Sequence, residues 1–232
     1  MNKIAEYLNF YRAILIFLKG SFFFYQTKDI EKQNKIIHDA LGDMIKLWKL
    51  SVSVEGTENI PENQQFIVIA NHQSLMDIPV LFESLPISMR MVAKAELFKI
   101  PVFGWTLRHG YFIPIQRNNT KAAVESLSSA VKLFEKNTSI FMAPEGTRSK
   151  DGKLLPFKKG PFVLAIDQKK NILPVVIFDT KDVIVKGSTR IKSNQKVHIK
   201  ILPVIETQHY TYDKRGDLTE LAYTIMKKEL EG

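Results

Sequence analysis

The 232-residue chain contains no cysteine. That removes disulfides, thiolate zinc sites, Fe–S clusters and a Cys nucleophile together. It leaves the redox compartment open, since a chain without thiols tolerates either state. No G-x-G and no G-K-[ST] occurs, so dinucleotide-binding and P-loop readings fail at the first test. There is no G-x-S-x-G elbow either, and hence no evident serine nucleophile. His38, His109, His198 and His209 are scattered, with no H-x-x-x-H pair for a metal. Internal repeats and low-complexity tracts are absent. Acid is scarce relative to base: 24 Asp/Glu stand against 33 Lys/Arg, a net charge of +9.

What remains is the composition of a globular protein, 45% apolar and 25% charged. The positive excess gathers between Thr138 and Lys200, where thirteen Lys/Arg face five Asp/Glu. A basic face attracts nucleic acid, anionic lipid or phosphorylated substrates without telling them apart, and a merely solvated surface is the plain alternative. Aromatics suited to base stacking are not interleaved with these cations, which makes nucleic acid the weakest option.

The N-terminus points to lipid. From Ile4 to Gln26, residues Tyr7, Tyr11, Ile14, Leu18, Phe22 and Tyr25 fall three or four apart, as on one helical stripe. A transmembrane span needs about 20 mostly apolar residues, and Lys19-Gly20 interrupts this one. A signal peptide fits poorly, because no small-residue cleavage site follows the apolar part. A second, milder amphipathic pattern runs from Ile30 to Leu50, with Ile37, Leu41, Met44, Ile45 and Trp48 on one face. Two such helices joined near Thr27-Lys28-Asp29 predict a hairpin. Two readings stand for it: an anchor dipping into one leaflet, or a hairpin packed on the protein's own core or on a partner chain.

The rest alternates strands with helices. Strands are expected at Val52–Val54, Phe66–Ala70, Met89–Ala93, Tyr111–Ile115, Ile140–Ala143, Leu173–Phe178 and Val197–Val204. Helices are expected at Ile78–Ser84, Val102–Arg108, Lys121–Lys136, Pro161–Gln168 and Leu218–Leu230. This order predicts a single α/β domain with a mostly parallel central sheet flanked by helices. Phe66–Ala70 and Leu173–Phe178 read as strands covered on both faces. Lys181–Ile205 is expected to form an antiparallel edge. No Gly-, Pro- or Ser-rich linker divides this region, so the division is 1–50, a membrane-interacting helical hairpin, and 51–232, the α/β domain.

Two apolar runs stop abruptly at polar clusters. Phe66–Ala70 leads into Asn71-His72-Gln73-Ser74-Leu75-Met76-Asp77, and Ser139–Ala143 into Pro144-Glu145-Gly146-Thr147-Arg148. Strand ends of open α/β sheets are where ligand sites are built. His72 is the side chain best suited to exchange protons near neutral pH, and a carboxylate partner fixes its tautomer. Residues five apart in a regular helix point about 140° away from each other. The pair therefore meets only if His72 precedes the helix and Asp77 sits in its first turn. Pro79 supports a start between Ser74 and Ile78. Without catalysis, Asp77 reads as part of a cap and His72 as a strand-end histidine bonded to a carbonyl.

These blocks resemble the signatures of the glycerolipid acyltransferase family, in particular the bacterial 1-acyl-glycerol-3-phosphate (lysophosphatidic acid) acyltransferases. His72-x4-Asp77 resembles the first block, and Glu145-Gly146-Thr147-Arg148 the E-G-T-R block. Gly110–Arg117 is similar to the G-x-x-F-I-x-R block with one extra residue before Arg117, and Leu173-Pro174-Val175-Val176-Ile177 to the proline-containing block. Ala93–Phe98 and Phe157–Gly160 also fit. The likeness implies acyl transfer from a thioester, on acyl carrier protein or coenzyme A, to a free glycerol hydroxyl. It needs no other cofactor, no metal and no acyl-enzyme. His72 is implied as general base and Asp77 as its support. Arg148 is implied at the acceptor phosphate, with Lys94 and Arg117 as further phosphate contacts. Glu145 would orient Arg148 or bond the glycerol, and Gly146 and Thr147 complete the substrate loop. Phe98, Phe103, Trp105 and Leu107 read equally as lining of an acyl groove or as core. The implied partners are an anionic membrane surface, a lysophospholipid and the acyl donor. The implied location is the cytoplasmic face of a cell inner membrane.

Overall fold

The computed structural model describes residues 3–116, 126–127, 131–184 and 190–232, with side chains from residue 7 onward at the N-terminus. Two antiparallel helices come first, α1 (Lys3–Tyr25) and α2 (Ile30–Leu47). Asp29 closes the turn between them by accepting the N–H groups of Glu31 at 2.9 Å and Lys32 at 3.1 Å. These are two of the orphan donors that open any helix.

The two helices use their apolar stripes differently. On α2, Ile37, Leu41, Met44, Ile45 and Trp48 all pack into the core, where α2 meets α3 (Asp77–Ser84). On α1, the stripe Tyr7, Tyr11, Ile14, Leu18, Phe22 and Tyr25 is exposed throughout. The buried contacts of α1 come from Ser21 and Phe24, which turn toward α4 (Phe103–His109).

Seven described strands form one sheet in the order β1-β7-β6-β2-β5-β3-β4. They are β1 (Ser51–Glu55), β2 (Ile67–Ala70), β3 (Met89–Lys94), β4 (Ile113–Ile115), β5 (Ser139–Met142), β6 (Ile172–Phe178) and β7 (Lys196–Ile201). All pairs are parallel except β6 with β7. The antiparallel pairing expected of the last strand is present, but β7 is not an edge. β1 lies outside it, setting Val52 and Val54 against Val197 and Ile199. Strand pattern carries no information about which strand lies outermost.

Both sheet faces are covered. One carries α2 and α3. The other carries α5 (Gly160–Asp167) and α7 (Arg215–Glu231), which bring Phe162, Leu164, Ala165, Leu218, Ala222 and Met226 onto Ile67, Ile69 and Ile140. Accordingly β2 is buried at every residue and β6 at all but the last. A four-residue helix, α6 (Thr180–Val183), follows β6 directly.

Two sequence expectations shift. The strand anticipated at Tyr111–Ile115 begins at Ile113, because Tyr111 has φ of 61° and serves the turn out of α4. Most of the helix expected at Lys121–Lys136 lies outside the described residues, and its end, Val131–Lys136, is a 3-10 helix.

A buried cation joins hairpin to sheet. Arg90 on β3 is fully buried, and burial lowers its pKa to about 10. Its guanidinium donates to neutral acceptors: Gly110 O at 2.6 Å, Asn34 Oδ1 at 2.6 Å, Met89 O at 2.9 Å and Gln33 Oε1 at 3.2 Å. Gln33 and Asn34 belong to α2, so the first turn of that helix is tied to the sheet through one arginine. Buried charges persist where every donor finds an acceptor.

Candidate active site

β2 and β5 are parallel neighbours, with Ile69 opposite Met142. Both end at the same sheet edge, so the polar clusters that follow them lie side by side. Pairing of two strands thus unites motifs far apart in the chain.

His72 stands outside the helix and Asp77 is the first residue of α3, as the spacing requires. His72 Nδ1 lies 2.7 Å from Asp77 Oδ2, with the imidazole 15% exposed and the carboxylate 1%. Asp77 Oδ2 also accepts the N–H of Gln73 at 2.8 Å and of Ser74 at 2.9 Å. Its Oδ1 accepts the Thr180 hydroxyl. Four donors thus surround a carboxylate at a helix start, where the peptide dipoles also favour negative charge. With the carboxylate accepting, Nδ1 carries the ring proton and Nε2 is left as the basic nitrogen.

The second motif grips the backbone of the first. Glu145 Oε1 accepts the His72 N–H at 2.6 Å, and Ser149 N–H donates to His72 O at 2.7 Å. Glu145 Oε2 accepts the Leu155 N–H at 2.9 Å. Both oxygens of Glu145 therefore have backbone partners, a positioning task its sequence neighbours do not reveal. Asn71, next to His72, exchanges two 2.8 Å bonds with the backbone of Ile177 and so prolongs the β2–β6 pairing with a side-chain amide.

Burial raises the Glu145 pKa from 4.5 to about 7, against the pull of the Leu155 and His72 N–H groups and of the His72 charge; Asp77 adds to the rise. Between those two values the folded protein holds a proton that the unfolded chain releases. Stability therefore falls as pH rises through this window, and the whole cost is present above about pH 7. At ~1.4 kcal/mol per unit its upper bound is about 3.5 kcal/mol. Thermal melts from pH 5 to 8 should fall less steeply for Glu145→Gln than for the parent. Parallel slopes would remove Glu145 as the source.

Gly146 follows with φ of 67°, a region that favours glycine. A Cβ there would stand 2.9 Å from Cε of Lys158. The loop continues through exposed Thr147 to half-buried Arg148. Lys94 ends β3 at the same sheet edge, but its ion pair is with Glu96, at 3.5 Å. Arg117 lies outside the described residues. The structure thus unites His72, Asp77 and Glu145 by direct bonds and carries Gly146, Thr147 and Arg148 on the adjoining loop.

Three participants were not singled out from sequence: Thr180, Ser149 and the Leu155 amide. None of them had a usable signal: a threonine two residues beyond the strand Leu173–Phe178 looks like any loop residue. The aromatics near α4 divide. Phe98 and Leu107 are buried together with Ala93, while Phe103 and Trp105 meet α1 through Phe17 and Tyr25, with ring centroids 5.6 and 4.9 Å apart. Among the described residues, no group of three His, Asp or Glu is placed to hold a metal.

Fold and site together define an α/β domain with a His-x4-Asp dyad and an E-G-T-R loop at one edge of a mostly parallel sheet. The chain belongs to the acyltransferase family: the family model described as Acyltransferase matches residues 51–178. It is 34% identical over 190 residues to the 1-acyl-sn-glycerol-3-phosphate acyltransferase of Limnanthes douglasii, covering 82% of this chain and 66% of that protein. The corresponding enzyme of Saccharomyces cerevisiae is 36% identical over 176 residues, covering 74% of this chain and 57% of its own length. The chain thus spans less than two thirds of the length of these curated relatives. The crystal structure of the 1-acyl-sn-glycerophosphate (LPA) acyltransferase PlsC from Thermotoga maritima superposes with a TM-score of 0.81 at 31% identity, covering 100% of this chain and 97% of that one.

Proposed function

We propose that the protein transfers a fatty acyl group from an acyl thioester to the free hydroxyl of a 1-acyl-glycerol-3-phosphate, giving phosphatidic acid. One observation carries the reading: an imidazole ordered through Nδ1 by a buried carboxylate, its Nε2 left basic, at the sheet edge to which Ser149 ties the loop that carries Arg148.

His72 Nε2 takes the proton as the hydroxyl oxygen attacks the thioester carbonyl. The tetrahedral intermediate collapses, the C–S bond breaks, and the thiolate recovers the proton from the imidazolium. A positioned base of this kind is worth about 10²–10⁴ in rate. Asp77 keeps the ring in one tautomer and steadies its charged form. No covalent acyl-enzyme enters the scheme. Arg148 holds the acceptor phosphate through its planar fork, with Lys94 and Arg117 as further phosphate contacts. Arg148→Ala is expected to raise the KM for a phosphorylated acceptor at least tenfold with a smaller change in kcat. An unchanged KM would move the phosphate elsewhere.

Residues 1–50 are the membrane-interacting hairpin and 51–232 the acyltransferase domain in this reading. No described helix is long and apolar enough to cross a membrane. The exposed stripe of α1, with Tyr7 at 77%, Tyr11 at 67% and Phe22 at 61%, suits a helix lying in one leaflet. We place it at the cytoplasmic face of an inner membrane. Replacing Tyr11, Leu18 and Phe22 by Ser should move the protein off sedimenting vesicles, since none of the three supports the core. Continued sedimentation would contradict the anchor.

The deciding assay supplies labelled acyl carrier protein or acyl coenzyme A thioesters with a panel of lyso-acceptors and identifies the lipid formed. Label in phosphatidic acid supports the reading. Label only on glycerol-3-phosphate, another lysophospholipid or a lyso-aminolipid would change the acceptor and keep the chemistry. No transfer to any acceptor would leave a basic lipid-binding protein.

A further inference from the structure

The hairpin carries a groove that the reaction does not use. It runs between α1 and α2 on the side of α2 opposite its core stripe and has a volume of about 820 Å³. Its apolar lining comes from Leu15, Ile16 and Phe23 of α1 and from Ile36 and Ala40 of α2. A volume of this size lies within the usual ~300–1,000 Å³ of small-ligand sites.

The charges along it are not evenly matched. Asp39 is paired with Lys35 at 2.8 Å, and Asp43 faces Lys46 at 3.9 Å. Asp29, at the turn, has a carboxylate oxygen engaged in capping α2. Lys19 and Lys32 also line the groove, and among the described residues neither has an ion-pair partner. One cleft therefore combines a long apolar floor with two uncompensated cations. Its α1 wall is continuous with the exposed residues Leu8, Leu15 and Phe22. A chain leaving the hydrocarbon region would enter it without crossing water.

We infer that the groove between α1 and α2 binds one anionic phospholipid, its acyl chain along the apolar floor and its phosphate at Lys19 and Lys32. The occupant is anionic because both unmatched side chains are cations. It is a lipid because the remainder of the lining is apolar and borders the outward stripe. The inference rests on the reading of the hairpin as membrane-facing, and not on the acyl-transfer chemistry.

Native mass spectrometry of the full chain, released from detergent with phosphatidylglycerol or phosphatidylcholine, tests the site. Vesicle sedimentation, run in parallel, tests the hairpin. One retained phosphatidylglycerol per chain is expected, with little phosphatidylcholine. Lys19→Gln with Lys32→Gln should lower that occupancy about tenfold, the loss of a charge-assisted contact. Ile36→Trp, which fills the floor and leaves both lysines, should lower it as much. Lys228→Gln, exposed on α7 and outside the groove, should leave it unchanged. Equal retention of both lipids, or an equal effect of Lys228→Gln, would overturn the site and reduce it to general surface charge. Retention lost in the variants while all still sediment with vesicles supports it. A parent protein that fails to sediment would instead refute the membrane-facing hairpin.

Discussion

His72→Ala is expected to lower kcat for acyl transfer by about 10²–10⁴ while leaving the acceptor KM and vesicle binding close to those of the parent. The imidazole is mostly covered, yet among the described residues its ring bonds to one group, Asp77. The grip of the second motif on position 72 uses the backbone N–H and C=O, which alanine retains. The substitution therefore removes the base without removing the bonds that hold the two loops together. Steady-state kinetics with a labelled thioester, alongside circular dichroism and sedimentation, check it. Loss of transfer together with loss of fold would mean that the ring serves structure, and undiminished transfer would remove His72 from the reaction.

Asp77→Asn should be nearly as damaging and should also affect the fold around the site. The parent carboxylate accepts four donors: the His72 ring, two backbone N–H groups and the Thr180 hydroxyl. An amide has one accepting oxygen and turns its NH₂ toward donors on the other side. If the oxygen faces Gln73 and Ser74, the amide confronts Thr180, whose hydroxyl can turn to accept. If it faces Thr180, the amide confronts three donors. Either arrangement removes the negative charge that steadies the imidazolium. A fall in kcat of about 10²–10⁴ is expected, the upper end being what loss of the orienting carboxylate costs in the serine-protease triad. Thr180→Val, which removes one neutral donor and keeps the charge, should fall between parent and Asp77→Asn. A Thr180→Val variant as inactive as Asp77→Asn would mean that geometry rather than charge dominates.

The dyad was legible in sequence because its chemistry is local. His72, Asp77 and Pro79 lie within one strand-to-helix turn, and a helix start between Ser74 and Ile78 is the one arrangement that lets the first two meet. The observed start at Asp77 falls inside that interval. The supports were less legible because they act through non-local or backbone groups. Thr180 is 103 positions from Asp77, and a threonine after a strand looks like any loop residue. Glu145 was expected to face Arg148 or substrate, whereas its oxygens receive N–H groups, which no side-chain pattern records. Strand order was hidden for a related reason. The alternation in Ser51–Glu55 identifies a strand but not its partner, and pairing with β7 changed which strand is the edge. On the hairpin, periodicity found both stripes but not their directions. One is buried by α3 and the other faces out.

A crystal structure with a non-reacting lysophosphatidic acid analogue is the most direct measurement of the central claim. The account predicts the acceptor's free hydroxyl about 2.6–3.2 Å from Nε2 of His72, with the phosphate on the Arg148 guanidinium. A hydroxyl bound away from the imidazole, with Nε2 facing an empty wall or the phosphate itself, would contradict it.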